Sequence, residues 1–461
     1  MPARFPCLLF AFLSLTMLLA AQNAVRPWKD TQGRIIQATL VSATADSVTI
    51  RMSDGKEHTL PITRFSAEDQ AYVKSLTPAS GQPAAAPTAA ADPARLPIEK
   101  RVWPAQVEVA ARSVEITPTV ENAPARQFVY QSEGFEFTSQ AKIAGSVMKE
   151  VARTFEATKK LIGDLPWGIV CRPPPGFERY KAELYETRND YIAAGGPENS
   201  GGVYMGGKKV FMIPFPSLGL EMRGKTWFKD DNYSNDTLVH EITHQVMDDY
   251  LTFLPKWIIE GTAEYSESLP YKSGNFRVEA HKTGLKEHIA NGERRGHSTG
   301  IRSLGTHLKM NRATWDGLAE TDNRKMSELY FHSYLIVYYF CHLDGDKKGT
   351  RFIKFMDAVY GEVQALRTFF ADPRVKRFPD GRFSYPSDFR PPDLKPDTAP
   401  FKHLDVLLEG RSLSQLANEM KENFKSVGVK FSAGEGSAPS VVLSEDGITR
   451  RFPSPRCRAH R

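Results

Sequence analysis

Hydrophobic positions are patterned unevenly along the 461 residues. An apolar run from Leu8 to Ala20 follows one early cation, Arg4, and ends in small residues at Ala20 and Ala21. That is the order of a secretory leader, so residues 1–21 are expected to be a cleaved signal peptide. The run is too short to span a bilayer, and no later stretch approaches ~18 uncharged apolar residues, so no membrane-spanning helix is expected. Between 22 and 77 apolar and polar residues alternate. Ile35, Ile36, Ala38 and Leu40 mark one strand, Val48 to Met52 a second and His58 to Ile62 a third, with Asp54-Gly55 as a hairpin turn. Ser66-Ala-Glu-Asp opens a short helix carrying Tyr72 and Val73. Short strands so closely spaced predict a small barrel.

Alternation stops at residues 78–102, where Ala and Pro dominate and a flexible linker is expected. Residues 103–431 then carry a globular pattern of mixed period. Leu238, Val239, Ile242, Val246 and Met247 recur at helical spacing behind the start signals Ser234, Asn235 and Asp236. A second helix begins at Trp257, after Pro255, and an aromatic-rich helix covers Leu329 to Tyr339. Residues 201–213 read as a hairpin turning at Gly206-Gly207. From Ser432 to Arg461 the chain is Gly-, Ser- and Pro-rich and then basic, which predicts a disordered tail. The fold class expected is α+β preceded by a small β module.

Composition narrows the function classes. Hydrophobic residues are 41% and charged residues 25%, which excludes a wholly disordered or fibrous chain. The net charge of +6 is spread along the whole length and leaves no nucleic-acid footprint. Four cysteines are too few for a disulfide scaffold. Leader removal takes Cys7 and leaves Cys171, Cys341 and Cys457, an odd number; pairing of Cys171 with Cys341 stays open. The leader places the protein in the periplasm or outside the cell. No cysteine follows the apolar run to anchor a lipid.

The chemistry centres on Thr237-Leu-Val-His240-Glu241-Ile-Thr-His244. Two histidines four apart on a helix project from one face, where neutral imidazoles can hold one Zn²⁺. Glu241 lies beside that face, within reach of a zinc-bound water whose pKa is lowered towards ~7, and can take its proton. A zinc site needs a third protein ligand and an open position. The next helix, Trp257-Ile-Ile-Glu260-Gly-Thr-Ala-Glu264-Tyr265, offers two carboxylates one turn apart.

These residues resemble the gluzincin metallopeptidases, the clan of thermolysin and aminopeptidase N, over about residues 127–375. The resemblance implies Glu260 as third ligand, although Ile259 stands where the family carries Asn. It implies Glu264 as the residue that orients His240 through its other ring nitrogen. The segment Leu329-Tyr330-Phe-His332-Ser333-Tyr334 is similar to the helix carrying the oxyanion donor in aminopeptidase-type members, with Ser333 in place of Gly. The match implies Tyr330, with His332 and Tyr334 as rivals on the same helix. Gly202, Val203 and Tyr204 are the candidates for the edge strand that pairs with extended substrate.

The segment with Arg26-Pro-Trp28, Gly33, Val48, Leu60-Pro61 and Phe65-Ser66-Ala-Glu-Asp69-Gln70 resembles the Sla-type homology domain of endocytic adaptors. That resemblance implies an SH3-like barrel binding short peptides. The expectation is therefore a secreted zinc metallopeptidase acting on peptides or proteins. A second function class stays open, a non-catalytic secreted scaffold whose N-terminal module binds peptides. Zinc-dependent hydrolysis of another bond, such as an epoxide, is a third, but nothing suggests a lipid tunnel.

Overall fold

A computed structural model of the chain describes residues 25–31, 33–43, 47–52, 56–76, 95–230, 232–377, 383–386 and 389–434. The expected leader 1–21, the Asp54-Gly55 turn, linker residues 78–94 and tail residues 435–461 lie outside the described residues, as do Cys7 and Cys457. The chain divides into two compact units, residues 1–91 and 92–461.

In the first unit, strands β1 (Val25–Lys29), β2 (Ile35–Ala43), β3 (Ser47–Met52) and β4 (Glu57–Pro61) form an antiparallel sheet in that order, followed by helix α1 (Ala67–Leu76). β1 is a strand the alternation does not announce, because Pro27 interrupts its pattern. It nonetheless supplies Trp28, which is fully buried edge-on to Phe65 and Tyr72. Buried Asp69 on α1 ties the helix to β1 by accepting from the Lys29 backbone N–H at 2.7 Å and from Arg26. Among the described residues the sheet is open, with β1 and β4 as its edges. A bridge between Asp30 and Phe65 joins the end of β1 to the segment after β4, without a ladder to close a barrel.

The second unit is a mixed α+β body. Its sheet takes strands β5 (Thr117–Asn122), β6 (Gln127–Gln131), β7 (Phe135–Ser139), β8 (Tyr180–Tyr185), β9 (Val203–Met205) and β10 (Val210–Pro214) in the order β9-β10-β8-β7-β6-β5. β8 runs parallel to both β7 and β10, and the other pairs are antiparallel. The connection from β7 to β8 carries helix α2 (Gly145–Asp164), as a parallel crossover requires. Apolar residues Met148, Val151, Phe155 and Ile162 fall at intervals of three, four and seven on α2, one face of the helix, and are buried. Phe155 meets Phe135, Phe137 and Phe211 of the sheet edge-on or tilted, at 4.9–5.6 Å between ring centres. The hairpin expected at 201–213 is present as β9 and β10, turning through Lys209 at positive φ.

The helical half contains α3 (Asp236–Val246), α4 (Lys256–Ser268), α5 (His281–Arg294), α6 (Asn323–His342), α7 (Thr350–Ala371) and α8 (Leu413–Lys425). α4 is buried on nearly every side, from Trp257 to Ser266. Gly261 permits its close crossing with α6, because a Cβ there would lie 2.5 Å from the Ser333 carbonyl oxygen. Residues 95–102 pack rather than link: Arg95 donates to the Gly168 carbonyl at 2.7 Å, and Arg101 pairs with Asp357. Ser432 and Ala433, placed in the tail by composition, pair with Gly300 and Ile301. Cys171 and Cys341 are both free thiols; burial pushes Cys171 up to about 12 and Cys341 higher still. Among the described residues no helix is long and apolar enough to cross a membrane.

Candidate metal centre

Helix α3 places His240 and His244 one turn apart, with their rings edge-to-face at 4.7 Å. The chain turns back through Asp248–Tyr250 and Pro255, and α4 then presents Glu260 to both. Glu260 Oε2 lies 3.4 Å from His240 Nε2 and 3.2 Å from His244 Nε2. The three ligand atoms fall within 4.8 Å of one another, so His240, His244 and Glu260 could hold a metal ion. The fit has a sharper signature. Glu260 is 3% exposed, and its Oε2 is buried without a hydrogen-bond partner while it faces two ring nitrogens. A buried carboxylate oxygen left this way carries a desolvation penalty that a bound cation removes. Donors of two imidazole nitrogens and one carboxylate oxygen match zinc chemistry.

The electrostatics favour an anionic acceptor among these rings. Burial alone would raise Glu260, but Lys256, His244 and His240 outweigh it and hold the carboxyl well below its usual range. Burial alone would lower His240. The close approach of Glu260 and the hydrogen bond to Glu267, with the charges of Glu267 and Glu241, overcome that and hold the ring well above the usual imidazole value.

Around this trio the other expected residues take definite places. Glu241 is half-buried beside His240, and its Oε2 accepts from the Tyr204 backbone N–H at 2.8 Å. The sheet's outermost strand, β9, thus abuts α3, with Val203 opposite Met212 of β10. Gly202 is packed tightly, since a Cβ would meet Phe211, Met212 and Ile213 at 3.3 Å. The Tyr204 hydroxyl donates to Asp248 at 2.9 Å. Of the three candidates on α6, Tyr330 approaches the histidines: its ring lies near-parallel to His240, 6.0 Å away. His332 is spent on the Ser298 carbonyl at 2.9 Å, and Tyr334 is fully buried beside Ser268. The charge of Glu260, followed by burial, pushes the Tyr330 phenol up, so it keeps its proton.

The contact that orients His240 falls on a residue the motif did not single out. His240 Nδ1–H donates to Glu267 Oε2 at 3.0 Å, whereas Glu264 Oε1 lies 3.9 Å away. Burial, then the neighbouring charge of Glu267, raises Glu264 well above its usual value, which favours its neutral form and makes it the weaker acceptor. The signal was present in the sequence: Glu260, Glu264 and Glu267 share one helical face. Lys256, four residues before Glu260, was likewise missed, and its Nζ donates to Glu260 Oε1 at 2.6 Å. A cleft of about 1010 Å³ opens beside the trio, lined by Thr237, Glu264, Glu267, His288 and Tyr330 among others. No protein-family model matches the chain, and no curated protein matches it either.

Proposed function

We propose that this chain is a zinc-dependent metallopeptidase of gluzincin type, exported through its leader and acting on peptide or protein substrates. The observation that carries the reading is the buried, unpartnered Glu260 Oε2 set between His240 Nε2 and His244 Nε2. When bound there, zinc supplies a Lewis acid that acidifies water and polarises a carbonyl. The remaining work belongs to side chains. Glu241, beside the trio, takes a proton from the attacking water at its carboxylate and returns it to the leaving nitrogen. Its hydrogen bond to the Tyr204 N–H holds the carboxylate at the rim where β9 would pair with extended substrate. Tyr330 keeps its phenolic proton and donates it as a hydrogen bond to the developing oxyanion. The first unit, with its four-stranded sheet and capping helix, is proposed to be an SH3-like peptide-binding module.

The test is digestion of a peptide library by the full chain with and without a chelator, together with metal analysis. Glu241→Gln is expected to keep zinc and lose about 10²–10⁴-fold in turnover. His240→Ala is expected to lose both. Hydrolysis by Glu241→Gln at the wild-type rate would remove the general base from the proposal, and a chain that carries no zinc would remove the enzyme.

A further inference from the structure

The third ligand divides its two oxygens between different partners. Glu260 Oε2 faces the histidines, and Oε1 is held by the Lys256 ammonium at 2.6 Å. Both side chains are withdrawn from solvent, Lys256 to 19% exposure and Glu260 to 4%.

The ordinary explanation of a pair four residues apart on a helix is that it staples the helix. Three features of this pair oppose that. Lys256 is the first residue of α4, where a cation lies against the helix dipole and an acid is favoured. The order is cation then anion, the weaker of the two orders for a helix pair. A staple also gains nothing from burial, whereas this pair has been taken out of water, where leaving either partner alone is strongly unfavourable. Lys256 is therefore poorly placed to stabilise α4 and well placed to act on Glu260.

We infer that Lys256 is the positioning residue of the metal centre: by occupying Oε1 it confines Glu260 to one-oxygen ligation through Oε2 and keeps a coordination position open for substrate. The inference rests on the metallopeptidase reading and adds to it a residue outside the ligand motif. A carboxylate released from Lys256 can turn both oxygens to the ion and fill the position that substrate needs. Outer partners of metal ligands commonly govern affinity in this way.

The experiment compares full-length wild type with Lys256→Met, Lys256→Gln and Lys256→Arg. Zinc affinity is read by competition with a chromophoric chelator, the ligand field from the visible spectrum of the Co²⁺-substituted protein, and folding from the melting of metal-free protein. Lys256→Met and Lys256→Gln are expected to bind zinc about 10–100-fold more weakly and to give weaker cobalt bands, as higher coordination does. Their metal-free melting temperatures should stay near wild type. Lys256→Arg, which keeps a cationic donor, should recover most of the affinity. If Lys256→Met folds but its affinity and cobalt spectrum equal those of wild type, Lys256 is a packing residue and the inference fails alone; should Met not fold, Lys256→Gln is judged by the same criterion. An arginine variant as impaired as methionine would overturn it too, since charge would not be the cause. Wild-type protein that takes up neither zinc nor cobalt would overturn the metal centre and the inference together.

Discussion

Two carboxylates, Glu264 and Glu267, compete for the Nδ1–H of His240, and burial separates them. Burial and its neighbour's charge raise Glu264 well above its usual value, which favours its neutral form, and Glu267 is the acceptor at hydrogen-bond distance, 3.0 Å. A neutral partner orients an imidazole less firmly than a charged one, because charge-assisted hydrogen bonds are about twice as strong. Glu267→Ala should therefore weaken zinc binding about 10–100-fold. Glu264→Gln mimics the protonated carboxyl and should change it by no more than a few-fold; chelator competition reads both. Greater damage from Glu264→Gln would return the orienting role to the residue that the gluzincin resemblance implies. At Tyr330 the phenol approaches His240 with its pKa raised by Glu260, so the group is a donor throughout the working range. Tyr330→Phe should lower kcat by about 10²–10³-fold with little change in KM, as expected for a donor used chiefly in the transition state.

Helices α4 and α6 together set how far Tyr330 lies from the histidines, and Gly261 sets how closely the two helices cross. A methyl group at 261 would press on the Ser333 carbonyl oxygen at 2.5 Å and on Val337 Cγ2 at 2.6 Å, both on rigid, buried elements. Gly261→Ala should therefore cost about 1–3 kcal/mol by overpacking, despite alanine's better helix propensity. It should also lower kcat, because Ser333 is one turn from Tyr330 on α6. Thermal melting and steady-state kinetics check the two effects, and a more stable variant would mean that the helices separate freely. This crossing also shows what the sequence made legible. His240 and His244 needed only the period of one helix; for a third ligand spacing offered Glu260 and Glu264 alike, and the gluzincin resemblance implied Glu260. Lys256 and Glu267 stand four before and seven after Glu260 on one face of α4, a spacing the sequence carries; that Glu267 rather than Glu264 meets His240 depends on how α4 lies across α3, which no local spacing encodes. The sheet order was hidden for the same reason, because the parallel pairings of β8 join residues far apart in sequence. β1 was missed because Pro27 breaks its alternation, and the packing of residues 95–102 because it rests on two arginines reaching Gly168 and Asp357.

Across the second unit, imidazoles serve as core groups as well as candidate metal ligands. Burial lowers His288 and His281 to about 4 and His307 to about 3, and it holds His342 well below the usual value with help from the charge of His281. His281 and His342 stack at 3.8 Å, an arrangement that two charged rings would not tolerate. Each of the four sits against a specific neighbour: His281 on the Tyr338 hydroxyl, His342 on that of Tyr265, His307 on that of Ser333 and His288 against the Tyr334 ring. Their linkage to folding has one sign. In the unfolded chain they take up protons near 6.5, while in the folded protein they resist until about 4 or below. Between those limits the unfolded state binds more protons, so stability is fully present above about 6.5 and falls as the pH drops through that window. The limiting loss is about 1.4 kcal/mol per histidine for each pH unit below 6.5. His297 and His332 are lowered by burial too and add to this trend, while His240 and the raised carboxyls Glu264, Asp236 and Asp249 oppose it. The urea midpoint of metal-free protein should accordingly be highest near pH 7, falling above it as His240 gives up its proton, and decline from about pH 6.5 to 4. His307→Gln, which can keep a hydrogen bond to Ser333 but cannot take a proton, should flatten that decline. A midpoint that does not move between pH 7 and 5 would mean that these rings reach water freely, and that the helical half is packed more loosely than its buried aromatic core implies.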